Sequence, residues 1–106
     1  MSKVFKALSD QTRRKVLELL RARPMTAGEL AGHFVVSKAT MSAHFAILRE
    51  ADLIEAEKTG KQITYRLKLS VLEEVLLDFA QKFDLDVSKS VHTQRKQKNG
   101  KREMPA

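Results

Sequence analysis

Apolar residues recur along this chain first at a helical and later at an alternating spacing, and that rhythm predicts the elements. Val4, Phe5, Ala7 and Leu8 mark a short helix over roughly residues 2–8, interrupted by Ser9 and Asp10 as a turn and candidate cap. A second helical pattern covers about 10–22, with Val16, Leu17, Leu19 and Leu20 as its stripe. Arg13 and Arg14 fall in its first turns, where the helix dipole disfavours cations. That misfit leaves open a nearby anion or two solvated arginines. Pro24 ends the helix, and Thr26-Ala-Gly-Glu29 reads as a capping box for a brief one in which Leu30, Ala31 and Phe34 face inward. The chain breaks at Val35-Val36. Ser37 then caps a longer helix to about Glu50, with Met41, Phe45 and Leu48 at i, i+4 and i+7. Two helices joined by a short turn form a helix-turn-helix pattern.

The period then falls to two. Ile54–Lys58 and Lys61–Leu67 flank Thr59-Gly60, a two-residue hairpin turn. It sets Ala56 opposite Ile63 and Ile54 opposite Tyr65 on an apolar face, with Glu55 against Thr64 and Glu57 against Gln62 on a polar one. Lys58 then faces Lys61 at the tip, a like-charge pair that a phosphate would relieve and a wet loop would tolerate. The expected fold class is mainly α with one β-hairpin: a winged helix-turn-helix.

Ser70-Val-Leu-Glu73 reads as another capping box, opening a last helix to about Phe83. Its apolar positions exceed one stripe: Leu72, Val75, Leu76, Phe79 and Phe83 share a face, and Val71 and Leu77 lie elsewhere. A homodimer joined through the first and last helices would cover this surplus, with Val4, Phe5, Leu8, Leu72, Leu76, Phe79 and Phe83 at the interface. Loops and the tail are the other possible cover.

Charge changes the picture only at the end of the chain. Twenty Lys+Arg stand against 13 Asp+Glu, a net of +7, yet residues 1–86 carry only +2 of it and residues 87–106 carry +5. The organisation expected is a folded DNA-binding and dimerisation domain over 1–86 and a basic, flexible tail over 87–106, too poor in apolar residues to offset its ordering entropy. The tail's charge suits either solvation or nucleic-acid contact. No cysteine is present, so disulfides and thiolate metal sites are excluded. No apolar run approaches the roughly 20 residues of a membrane span, and Asp10 comes too early for a signal peptide, so a cytoplasmic protein is expected.

The helix over 37–50 carries the candidate chemistry. Its outward side presents Lys38, Ala39, Ser42, Ala43, Ala46 and Arg49, with Thr40 and His44 near the other edge. Small and hydrogen-bonding side chains there suit close approach to base edges, and the two cations suit bases or phosphates. A merely solvated face more often carries Glu and Lys. The three histidines, His33, His44 and His92, are dispersed, with no ligand spacing and no local link to a nucleophile. The four glycines form no phosphate loop. No cofactor, metal site or catalytic residue is expected, and no enzyme.

These residues resemble a known family. Phe5-Lys-Ala-Leu-Ser-Asp10 and Thr12-Arg-Arg-Lys-Val-Leu-Glu-Leu-Leu20 look like the opening of ArsR/SmtB-type winged-helix repressors. Glu29–Phe34 with Ser37–Arg49 is similar to their helix-turn-helix, and Leu53-Ile54, Thr59-Gly60-Lys61 and Ile63–Leu67 to their wing. The resemblance spans residues 1–83 and is tightest to the SdpR-like autorepressor branch. It implies a homodimer that represses transcription from a palindromic double-stranded DNA operator. By position it implies DNA contact by Ser37, Lys38, Thr40, Ser42 and His44, and a basic wing tip at Lys58 and Lys61. It also implies release through a membrane immunity-type partner protein. Departures are Gln11 for a proline, Phe45 for a leucine, Asp52 for a glycine in a left-handed cap, and the acidic Glu55 and Glu57 in the wing. The family's cysteine and last-helix histidine sensor motifs are missing.

The expectation is therefore a DNA-binding repressor reading DNA through Ser37, Lys38, Thr40, Ser42, Ala43, His44, Arg49, Lys58 and Lys61. Two alternatives stay open. One is a winged helix kept as a protein-interaction module; the other is a repressor answering a metal or small molecule through an unfamiliar site.

Overall fold

The computed structural model describes residues 2–86; the basic tail and His92 lie outside the described residues. Two compact units divide after Glu73. The first holds α1 (Ser2–Leu8), α2 (Gln11–Ala22), β1 (Met25–Thr26), α3 (Ala27–Ala31), α4 (Lys38–Glu50), β2 (Ile54–Thr59), β3 (Gln62–Leu67) and the start of α5 (Leu69–Lys82). The second holds the remainder of α5.

Local chemistry sets the helix starts. The Asp10 carboxylate accepts from the Arg13 backbone N–H at 3.0 Å and caps α2. At α3 the predicted capping box is complete: Thr26 Oγ1 accepts from Glu29 N at 3.1 Å, and Glu29 Oε1 accepts from Thr26 N at 2.9 Å. Ser37 caps α4, as its spacing predicts. α5 departs from expectation by starting at Leu69, so Ser70 lies inside it rather than capping it. The approach is pinned one step earlier, where Lys68 N donates to Leu53 O at 2.8 Å and its carbonyl accepts from Val71 N.

The hairpin is found as predicted but two residues out of the expected register. Ala56 pairs with Tyr65, Glu57 with Thr64, Lys58 with Ile63 and Thr59 with Gln62. The turn residues are therefore Gly60 and Lys61, with Gly60 at φ +61° in the first central position, as a type II′ turn requires. A shift of two preserves which face each side chain takes, so Ile54, Ala56, Ile63 and Tyr65 still share one side. It does remove the expected Lys58–Lys61 pairing. A third strand, β1, which no alternation in so short a stretch could reveal, adds to the other edge of β3 through Met25 and Tyr65.

Between helices and sheet lies a core whose largest fully buried side chains are Val16, Leu30, Met41, Leu48 and Leu53. Each such side chain contributes about 1.5–3 kcal/mol on leaving water. Phe45, the larger residue at a position where leucine was expected, fits by packing its ring 4.7 Å from that of Tyr65 at 35°. After α4 the chain turns through Asp52 at φ +62°, the left-handed cap that Asp tolerates better than most residues, and Lys68 Nζ donates to its carboxylate at 2.7 Å.

Candidate nucleic-acid interface

α4 is held from below and open above. Met41, Phe45 and Leu48 anchor it in the core, and Lys38, Ala39, Ser42, Ala43, Ala46 and Arg49 are all exposed on the opposite side. At its start, Ser37 Oγ accepts from Thr40 N at 3.1 Å and donates to Thr40 Oγ1 at 2.9 Å. Both residues remain exposed there. The turn before α4 also points two aliphatic side chains outward: Val35 is fully exposed and Val36 nearly half so. An open groove of about 510 Å³ runs between α4 and β2, lined by Ala46, Arg49, Glu50, Ile54, Glu55 and Ala56.

His44 differs from the rest of the predicted set. Its side chain is only 14% exposed, and its Nδ1 lies 3.0 Å from Arg13 Nη1 and 3.9 Å from Asp10 Oδ2. Arg13 is itself buried, which corrects the expectation of a solvated arginine; the anion near it is the Asp10 carboxylate. Its Nε donates to Ala7 O at 2.9 Å and its Nη2 to Lys6 O at 3.0 Å, while Arg14 Nη1 donates to Leu8 O at 2.8 Å. The two arginines thus cap the end of α1 through its last carbonyls, Lys6 O being shared with the Ser9 N–H and hydroxyl. The Arg13 backbone N–H holds the Asp10 carboxyl below its usual range against desolvation, and the charge of Arg13 acts in the same direction. Spacing along α2 could not have revealed Arg13's role, because its partners come from α1 and α4.

On the wing, Lys58 and Lys61 are exposed near the tip. Glu55 stands opposite Arg66, and Arg66 Nη2 lies 3.4 Å from Glu57 Oε1, so one arginine offsets part of the acidity of β2. At the base of the wing, burial pushes the Tyr65 phenol up, and the charge of Arg49 opposes that shift.

Of the seven residues expected at a dimer interface, Val4 is already buried in the single chain and has little surface left to offer. Phe5, Leu8 and Leu72 are half-buried; Leu76, Phe79 and Phe83 are 40%, 37% and 63% exposed. Leu8 and Leu72 line the same open apolar groove, with Leu17, Leu67 and Leu69, rimmed by Arg14, Glu18 and Arg21.

The chain has no thiolate donor, and among the described residues no three His, Asp or Glu side chains gather at metal-binding distance. Among the described residues no helix is long and apolar enough to cross a membrane.

Comparison with known proteins places this geometry in context. The sequence profile of the bacterial regulatory protein, arsR family, matches residues 10–56, from the cap of α2 to the first half of β2. The chain is 44% identical over 90 residues to the transcriptional repressor SdpR of Bacillus subtilis (strain 168), covering 82% of this chain and 100% of that protein. It superposes on the crystal structure of an ArsR family transcriptional regulator with a TM-score of 0.73 at 29% identity, covering 78% of this chain and 91% of that one. The solution structure of a homodimeric winged helix-turn-helix DNA-binding domain from Mycobacterium bovis aligns with a TM-score of 0.59 at 26% identity, covering 77% of this chain and 82% of that fragment.

Proposed function

The chain belongs to the ArsR family of bacterial regulatory proteins, and from that premise we propose that it is a transcriptional repressor that binds a palindromic operator as a homodimer and controls its own gene. One observation carries the reading: a helix anchored by three buried residues turns a wholly exposed face of small, hydroxyl and cationic side chains outward. In a major groove, Ser42 and Ala43 would reach base edges, one by hydrogen bonding and one by its methyl group. Lys38 and Arg49 would take guanine or phosphate, while Ser37 and Thr40 sit where the helix start meets the backbone. Lys58 and Lys61 would carry the wing to adjacent phosphates, and His44 stands at the inner edge of the reading face.

The dimer is proposed through α1 and α5. The exposed Leu76 and Phe83 support it, as does the homodimeric state of the Mycobacterium bovis domain. The chain would act in the cytoplasm, where its DNA lies. Release by a sequestering membrane protein, rather than by a metal, completes the proposal; the absence of cysteine and the resemblance to the SdpR-like branch support it.

Footprinting of the purified protein on its own upstream DNA tests the whole. The expected result is two protected half-sites about 10 base pairs apart, centre to centre, or a multiple of that. No footprint there, together with no duplex enriched from a random library, overturns it. A winged helix serving only protein contacts would give that outcome.

A further inference from the structure

Arg13 is the one buried charged residue among the described residues, and all three of its guanidinium nitrogens are engaged. Two of them end on carbonyls of α1, and the third ends on the imidazole of α4. A guanidinium has only N–H donors and keeps its charge at any physiological pH. At 3.0 Å from Nη1, His44 Nδ1 must therefore be the acceptor, which leaves the ring proton on Nε2. Asp10 balances the buried charge nearby, but its Oδ2 stands 3.9 Å from Nδ1, beyond hydrogen-bond reach, and is taken by the Arg13 backbone N–H at 3.0 Å.

We infer that Arg13 is a positioning residue for DNA recognition: through His44 Nδ1 it fastens the reading helix α4 to the end of α1. His44 then contributes to operator binding by receiving this bond, not by presenting Nε2 to a base. The inference rests on the reading of α4 as the DNA-contacting helix. It gives that helix a fixed bearing on the element expected to join the two protomers, which two half-sites at a set spacing require. A pure packing contact would need no acceptor at this position. The guanidinium takes two carbonyls of one helix and one ring nitrogen of another, so it ties the His44 point of α4 directly to the end of α1.

Asparagine and glutamine substitutions separate the two edges of the ring. The Asn side-chain oxygen stands near Nδ1, and the Gln side-chain amide reaches toward Nε2. The probe is the duplex most enriched from a random-sequence library by the wild-type protein, titrated beside a scrambled duplex of equal length. His44→Asn should keep selected-duplex affinity within about twofold. His44→Gln and Arg13→Lys should each lose roughly tenfold, the scale of one charge-assisted hydrogen bond, and the double variant should lose no more than either. The loss should appear in the ratio of selected to scrambled affinity, which a smaller folded fraction would leave unchanged. Any other ordering of the two histidine variants overturns the inference, including Gln retained with Asn lost. Nitrogen-15 spectra of the wild-type protein at neutral pH test the bond without DNA: an unprotonated Nδ1 is expected, and a protonated Nδ1 overturns the inference. Failure to enrich any duplex would instead count against the proposed function.

Discussion

Asp52 takes a backbone conformation that the chain needs at that point and that most side chains resist. At φ +62° it lets α4 stop and β2 begin, and its carboxylate holds Lys68 at 2.7 Å. Asp52→Ala should lower stability by about 1–2 kcal/mol, because a Cβ without a local hydrogen-bonding group is strained in the left-handed region. Asp52→Gly, free of that strain, should stay close to wild type. Urea unfolding of both distinguishes the backbone from the ion pair: equal losses would mean that Lys68, not φ, is what matters. Glu29 acts through its charge. The Thr26 backbone N–H first, and then Arg23, hold its carboxyl below the usual range. A depressed folded pKa contributes stability above the unfolded value and loses it as pH falls through the folded one. Stability should therefore decline as pH drops below about 4.5. Glu29→Gln keeps an acceptor for Thr26 but cannot titrate, so its unfolding midpoint should fall less steeply over that range. Identical pH profiles would remove Glu29 from the acid response.

Among the elements, α4 divides its labour between two faces, and single substitutions should report which face they touch. Met41, Phe45 and Leu48 belong to stability. Ser42 is exposed and caps nothing, so Ser42→Ala should leave unfolding nearly unchanged while weakening operator binding more than random-sequence binding. A good base contact is worth about 1–3 kcal/mol of discrimination, which corresponds to a specificity loss of roughly 5- to 150-fold. Competition titrations against scrambled DNA measure it; an unchanged ratio would take Ser42 out of the reading surface. The wing has a different character, because Arg66 offsets part of the acidity of Glu55 and Glu57 and the free cations gather at the tip. Its contribution is expected in affinity more than in specificity.

For the molecule as a whole, the expected assembly and the tail each have a clear signature. Phe83 is 63% exposed in the single chain, so Phe83→Asp should leave the protomer folded yet abolish the dimer in sedimentation at micromolar concentration. A variant that stays dimeric would put the interface elsewhere. Deleting residues 87–106 removes six basic side chains and one acidic one. Phosphate contacts carry no sequence information, so affinity for operator and scrambled DNA should fall together. The salt dependence should become shallower by about 0.9 in log–log slope for each phosphate that the shortened chain leaves unneutralised. A selective loss on the operator would instead give the tail a role in reading sequence.

What the amino-acid sequence determined by itself is whatever neighbours three or four residues apart can decide. Thr26 with Glu29, and Ser37 before Lys38, spell out helix starts because cap and partner lie within one turn. Met41, Phe45 and Leu48 orient α4 because a helix returns to the same face every three or four residues. The outward face of that helix was legible for the same reason. The register of the hairpin was not: moving the turn from Thr59-Gly60 to Gly60-Lys61 leaves every side chain on its face, so the alternation cannot tell the two apart. β1 was illegible because two residues have no period, and Met25 is a strand only because Tyr65 lies beside it. Arg13 is the strongest case. Along α2 it reads either as a solvated cation or as one beside an anion; in the fold it is buried, because carbonyls from α1 and an imidazole 31 residues away supply the hydrogen bonds that burial of a guanidinium demands. Periodicity records which way a side chain points, and only tertiary structure supplies the partners it finds there.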